Sequence, residues 1–136
     1  MNIATPLLQP SIEALVQNAR ELRPLLADRA AATERAGRVS GEAMQLLGDA
    51  GLLRLGQPRR FGGYEYGPSA MLRVGFELGQ GCGSTAWCAM IANVNAWLAS
   101  YWPLQAQTEI WSADRENLVT GTFVPTGSCA AMHVHC

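Results

Sequence analysis

Ile12, Leu15, Val16 and Ala19 recur at the helical spacing i, i+3, i+4, i+7, and Leu22, Leu25 and Leu26 carry the stripe past Pro24. Proline lacks an N–H and crowds the preceding turn, so the pattern predicts a helix kinked at Pro24, or a helix pair meeting there, over the region to Arg38. The other face is rich in Arg, Glu and Asp and reads as a solvated surface, with Glu34 and Arg38 spaced as an i, i+4 ion pair. Ser40 stands as the N-cap of a second helix with Ala43, Leu46, Leu47 and Ala50 on its apolar side, and Gly51 offers a left-handed stop. Residues 52–58 read as a short extended connection and Phe61-Gly62-Gly63 as a tight turn. Pro68 suits the first turn of a third helix carrying Met71, Val74, Leu78 and Cys82 on one side and ended by Gly79, Gly81 and Gly83. Ser84 reads as the cap of a fourth helix over 84–102, the most buried by its pattern, and Pro103 opens a fifth anchored by Ile110 and Trp111. Residues 118–124, rich in β-branched side chains and stopped by Pro125, carry the one good strand signal.

Composition narrows the class. With 136 residues, 49% of them hydrophobic, the chain holds enough apolar material for one domain with a core. The net charge is -1, lysine is absent and no basic run exceeds Arg59-Arg60, so no electrostatic footprint for nucleic acid is present. The first ten residues lack the basic region of a secretory leader, which makes a cytoplasmic location and reduced cysteines the expectation. No charged residue occurs from Gln80 to Thr108, a stretch apolar enough to suggest a membrane span. Asn93, Asn95 and Ser100 interrupt it and no Arg flanks it closely, so the expected reading is the centre of a helical domain with no membrane partner.

Most candidate chemistry yields to plainer readings. Gly79-x-Gly81-x-Gly83 lacks the preceding strand and third glycine of a dinucleotide loop and reads as a turn between helices. The only histidines, His133 and His135, leave no Ser-His-Asp arrangement. Cys129, His133, His135 and Cys136 offer four donors, but their spacing fits no zinc site, so no metal is expected. On a helical wheel Ser84, Cys88 and Asn95 fall on nearly one line beside Trp87. Trp87, Met90, Ile91, Val94 and Leu98 have the spacing of plain core, whereas Asn95 stands out because a buried amide is costly without partners.

Several blocks then follow in a known order: Ala50-Gly51-Leu52 with Leu55-Gly56-Gln57-Pro58, Arg60-Phe61-Gly62-Gly63-Tyr64, and Cys82-Gly83-Ser84-Thr85-Ala86-Trp87. Trp97, Gln105-Ala106-Gln107 with Trp111, and Phe123-Val124-Pro125-Thr126-Gly127 continue it. Together they resemble the N-terminal helical domain of the acyl-CoA dehydrogenase fold, and are most similar to the oxygenase components of two-component flavin-dependent monooxygenases. The resemblance implies an all-α domain of about five helices over residues 1–117. It further implies one β-strand at 118–127, the start of an absent β-domain, and a tail at 128–136 unlike the family. Trp87 would face substrate or flavin, Asn95, Ser84 and Cys88 would line the substrate pocket with it, and Thr122, Phe123 and Pro125 would lie beside the flavin ring. Many family hydroxylases carry histidine where Asn95 stands, which bears on how a phenol would be activated.

The implied cofactor is reduced FMN or FAD, supplied by a separate flavin reductase and used with O2 to hydroxylate an aromatic or polyketide-like small molecule. Homo-oligomers, tetramers in the complete enzymes, are the family's habit. Because the family continues past Gly127 into a β-domain and a C-terminal helical bundle, a chain that stops at Cys136 is expected to be truncated and inactive alone. The alternatives are a fragment of an acyl-CoA dehydrogenase oxidising a Cα–Cβ bond, and a non-enzymatic helical remnant or interaction module.

Overall fold

The structure, a computed structural model, describes residues 9–121, which form five α-helices and one short 3-10 turn. The first helix, α1 (Ile12–Ala36), is continuous through Pro24. Pro24 is exposed, so water can serve the Arg20 carbonyl left without an amide partner, and no second helix begins there. Ser11 caps its start, accepting from the Ala14 N–H at 3.1 Å, and Gly37 stops it in the left-handed region at φ 62°. That stop places Arg38 outside the helix, and the Glu34–Arg38 pair expected from the spacing does not form. Arg29 instead reaches Glu42 of the next helix at 2.7 Å.

Helix α2 (Gly41–Asp49) has the expected Ser40 cap, and Gly51 at φ 76° supplies the left-handed turn after it. The connection that follows is more than a spacer: Leu52, Leu53 and Leu55 are buried, and it runs beside 64–66. Tyr64 N–H donates to the Arg54 carbonyl at 3.0 Å and Tyr66 N–H to the Leu55 carbonyl at 2.7 Å. Between these segments the 3-10 turn Arg59–Phe61 ends at Gly62, φ 90°, and Gly63 packs so tightly on the Gln57 backbone that a side chain there would collide with it.

Helices α3 (Pro68–Gly79) and α4 (Gly83–Ala99) form a hairpin that packs with α1 around Leu15, Leu26, Met71, Val74, Leu78 and Ala89. Glu77, buried on α3, is paired with Arg20 at 3.0 Å and with Arg23, tying α3 to α1. The glycine-rich stretch between α3 and α4 is a helix-to-helix turn, with Gly81 so close to α1 that a Cβ would lie 2.7 Å from the Arg23 carbonyl oxygen.

Helix α4 departs from the pattern in three ways. Cys82 rather than Ser84 occupies the N-cap, without a side-chain hydrogen bond, so Ser84 lies inside the first turn; the helix stops at Ala99 rather than near Trp102. Its inward face consists of small or polar residues, among them Thr85, Ala86, Ala89, Asn93, Ala96 and Ala99. Trp87 is 69% exposed and Leu98 38%, so these two are not the plain core that their spacing suggested, whereas Met90 and Val94 are partly buried and pack against the core. The reason is steric: alanines let α4 approach its neighbours closely, and large side chains are turned outward.

Helix α5 (Leu104–Trp111) drives Trp111 into a second small cluster with Ala96 and Ala99, and its indole N–H donates to the Asn117 carbonyl at 3.1 Å. Residues 118–121 form no strand, which requires a paired neighbour, and 122–124 of the expected strand lie outside the described residues. No helix among the described residues is long and apolar enough to cross a membrane.

Candidate functional site

Three of the four residues expected at a substrate pocket share one groove. Ser84, Trp87 and Cys88 emerge from the first turns of α4 and face the C-terminal end of α1 and the turn after it, where Thr33, Glu34, Arg38 and Val39 form the opposite wall. The groove has a volume of about 490 Å³. Helix periodicity explains the grouping: Ser84, Trp87 and Cys88 are i, i+3 and i+4. The opposite wall comes from some fifty residues earlier in the chain, and no local signal at Arg38 or Val39 announces it. Chemically the groove offers an indole face, two hydroxyls, a thiol and one residue of each charge. That suits a flat, largely apolar ligand with a polar edge.

Asn95 is not in this groove. Seven residues separate it from Cys88, about 10 Å along a helix rising 1.5 Å per residue. It is only 8% exposed, with Gly121 beside it: a Cβ on Gly121 would sit 3.7 Å from Asn95 Nδ2. Its amide nitrogen has no hydrogen-bond partner among the described residues. Such a group costs stability unless something supplies an acceptor.

The neighbouring amide, Asn93, escaped the sequence reading and behaves in the opposite way. It is fully buried; its Oδ1 accepts from Leu55 N–H at 2.8 Å, and its Nδ2 donates to the carbonyls of Leu52 at 2.8 Å and Ala89 at 2.9 Å. Asn93 therefore anchors the buried 52–58 connection to α4. Its one signal in the sequence was a polar side chain on the alanine-rich side of a charge-free helix. Gln57 acts similarly, donating to the carbonyls of Phe61 at 2.8 Å and Arg115 at 2.9 Å. The residues expected beside a flavin, Thr122, Phe123 and Pro125, lie outside the described residues, as do Cys129, His133, His135 and Cys136.

Comparison with known proteins places this geometry. The family described as acyl-CoA dehydrogenase, N-terminal domain, matches residues 9–113. The chain is 31% identical over 113 residues to the flavin-dependent monooxygenase oxygenase subunit HsaA of Rhodococcus jostii (strain RHA1), covering 83% of this chain and 30% of that protein. It is 29% identical over 111 residues to the FADH(2)-dependent resorcinol hydroxylase oxygenase component of Rhizobium sp. (strain MTP-10005), covering 82% and 27%. The crystal structure of the HsaA monooxygenase from M. tuberculosis superposes with a TM-score of 0.76 at 30% identity, covering 80% of this chain and 30% of that one. The chain thus spans about 30% of the length of these relatives.

Proposed function

The chain belongs to the acyl-CoA dehydrogenase family through its N-terminal domain, and on that premise we propose that it forms the N-terminal helical part of the oxygenase component of a two-component flavin-dependent monooxygenase. Its substrate is an aromatic small molecule bearing a hydroxyl or carbonyl group, and its partner is a flavin reductase. The observation that carries the reading is Asn95: a nearly buried amide, its nitrogen unpartnered among the described residues, on the helix that also presents Trp87. A phenolic or carbonyl oxygen is the acceptor such a donor lacks. Relatives named for resorcinol and for p-hydroxyphenylacetate hydroxylation act on phenols, which agrees with that chemistry.

Asn95 donates and accepts hydrogen bonds at any physiological pH but takes up no proton, so it orients the substrate oxygen rather than deprotonating it. Trp87 offers a flat apolar surface in the groove at the same helix, with Ser84 and Cys88 as its small polar rim. The uncharged face of α4 fits a flat ring system, and Thr122, Phe123 and Pro125, which follow the helical domain in sequence, are the residues we assign beside the flavin. Reduced FMN or FAD, when bound, would supply the two electrons with which O2 gives one oxygen atom to the substrate and the other to water. The helical domain by itself does not turn over, since about 70% of the relatives' length lies outside the matched region. A cytoplasmic, homo-oligomeric enzyme is the setting this reading implies.

The test is turnover by an oxygenase carrying this domain as its N-terminal part, supplied with a reductase. Hydroxylation of a phenol with matching O2 consumption supports the reading. Oxidation of a CoA thioester without need for O2 replaces it with a dehydrogenase.

A further inference from the structure

The groove beside Trp87 has a neighbour across the α1–α2 connection: a second hollow of about 550 Å³, lined by Arg29, Thr33, Arg38, Val39 and Glu42 among others. Thr33, Arg38 and Val39 line both, so the two hollows adjoin along this stretch, and Arg38 is the one charged residue they share.

The charges at this junction are unevenly used. Gly37, at φ 62°, ends α1 and takes Arg38 out of the helix, so the i, i+4 geometry that pairs it with Glu34 is lost. No ion pair holds the exposed Arg38 guanidinium among the described residues. Arg29 gives Nη2 to Glu42 at 2.7 Å, while its Nη1 is buried and has no hydrogen-bond partner. The second hollow thus holds two guanidinium groups against one carboxylate, with donors left over on both. The planar fork of a guanidinium matches the oxygens of a carboxylate or a phosphate.

We propose that the ligand of the α4 groove carries an oxyanion at one end, a carboxylate or a phosphate, which Arg38 binds where the groove meets the second hollow and toward which Arg29 presents Nη1. This inference rests on the proposed function, whose substrate it narrows from a flat aromatic molecule to an acidic one. The indole of Trp87 gives a flat body affinity but little direction, and a charge-assisted hydrogen bond at one end fixes which edge enters first. A cationic end would use Glu34, which lines the groove. It fits less well, because Arg38 lines both hollows and leaves a cation no side free of like charge. An anion can sit on the hollow side, which Glu34 does not line and where Glu42 is engaged by Arg29.

Titration of the 136-residue chain with naphthol, naphthoate, naphthyl phosphate and naphthylmethylammonium, followed by NMR at the amides of Thr33, Val39, Ser84 and Cys88, tests the proposal. The anions should bind about fivefold or more tightly than naphthol at low ionic strength, a preference that shrinks as salt is added, because Arg38 is exposed. The tighter of the two anions names the oxyanion. Arg38→Gln should remove most of the preference and Arg29→Gln part of it, each with unchanged helical circular dichroism. Arg35→Gln, exposed on α1 and outside both hollows, should keep it. Equal binding of naphthol and both anions, tighter binding of the ammonium compound, or a preference untouched by Arg38→Gln or by Arg29→Gln would overturn the proposal. If naphthol still perturbs Ser84 and Cys88 in that event, the groove stands and only its anionic end is lost. Perturbation by none of the four compounds overturns groove and oxyanion site together.

Discussion

Asn93 and Asn95 stand two positions apart on one helix and are opposite in kind. Asn93 makes three hydrogen bonds to backbone groups of two segments, and Asn93→Leu would orphan the Leu55 amide and the Leu52 carbonyl. We expect it to destabilise the chain by ~2–4 kcal/mol in urea unfolding. Asn95→Leu removes an unpartnered donor and should change stability by less than about 1 kcal/mol, or raise it, while in a complete oxygenase it should lose substrate binding. Equal losses of stability in the two variants would refute the distinction. A pH effect sits at Glu13, whose carboxyl is held below the ordinary glutamate range by its own backbone amide at the start of α1 and then by the Arg73 guanidinium. A depressed carboxylate pKa favours the folded state above the unfolded-state value and loses that contribution as pH falls through the folded-state value. Stability measured below the usual glutamate range should therefore drop less steeply with acid in Glu13→Gln than in the parent chain.

Element boundaries were legible wherever a cap or stop has its own chemistry. Ser40, Gly51, Pro68 and Pro103 each mark what the pattern said they mark. Pro24 left two readings open, of which the single helix holds, and Ser84 did not mark the cap, because each residue type has two uses. Proline mid-helix is tolerated when its missing bond faces water, and serine within a first turn need not cap when a preceding residue already adopts the extended cap conformation, as Cys82 does. Pro24→Ala should restore one amide to α1 and stabilise it by ~1–3 kcal/mol, read as a higher thermal midpoint with unchanged fold. A lower midpoint would mean that Pro24 is needed to seat α1 on α3. Gly56 is the counterpart in the 52–58 connection: a Cβ there would lie 2.5 Å from the Asn93 carbonyl oxygen, so Gly56→Ala should push the connection off α4 and destabilise by ~2 kcal/mol or more.

At the scale of the molecule, the described residues form a helical layer whose outward surfaces carry the candidate chemistry. Thr122, Phe123 and Pro125, the residues proposed beside the flavin, fall outside the matched residues 9–113, so equilibrium dialysis of the chain against FMN and FAD, oxidised or reduced, should show no retention. Micromolar binding would mean that the helical domain holds the cofactor by itself. The sequence determined the number and order of the helices, because periodicity and capping act over a few residues, and it carried the family through motifs in fixed order. It also placed Ser84, Cys88 and Asn95 on nearly one line with Trp87 beside it, of which the groove takes Ser84, Trp87 and Cys88 but not Asn95. Only the tertiary structure decided which side of α4 turns inward: Trp87 and Leu98 look like core by hydrophobicity, but close packing against α3 and the 52–58 connection has room only for alanine, threonine and Asn93. Likewise, Asn95 is buried with Gly121, more than twenty residues away in sequence, beside it, a contact that no local pattern encodes.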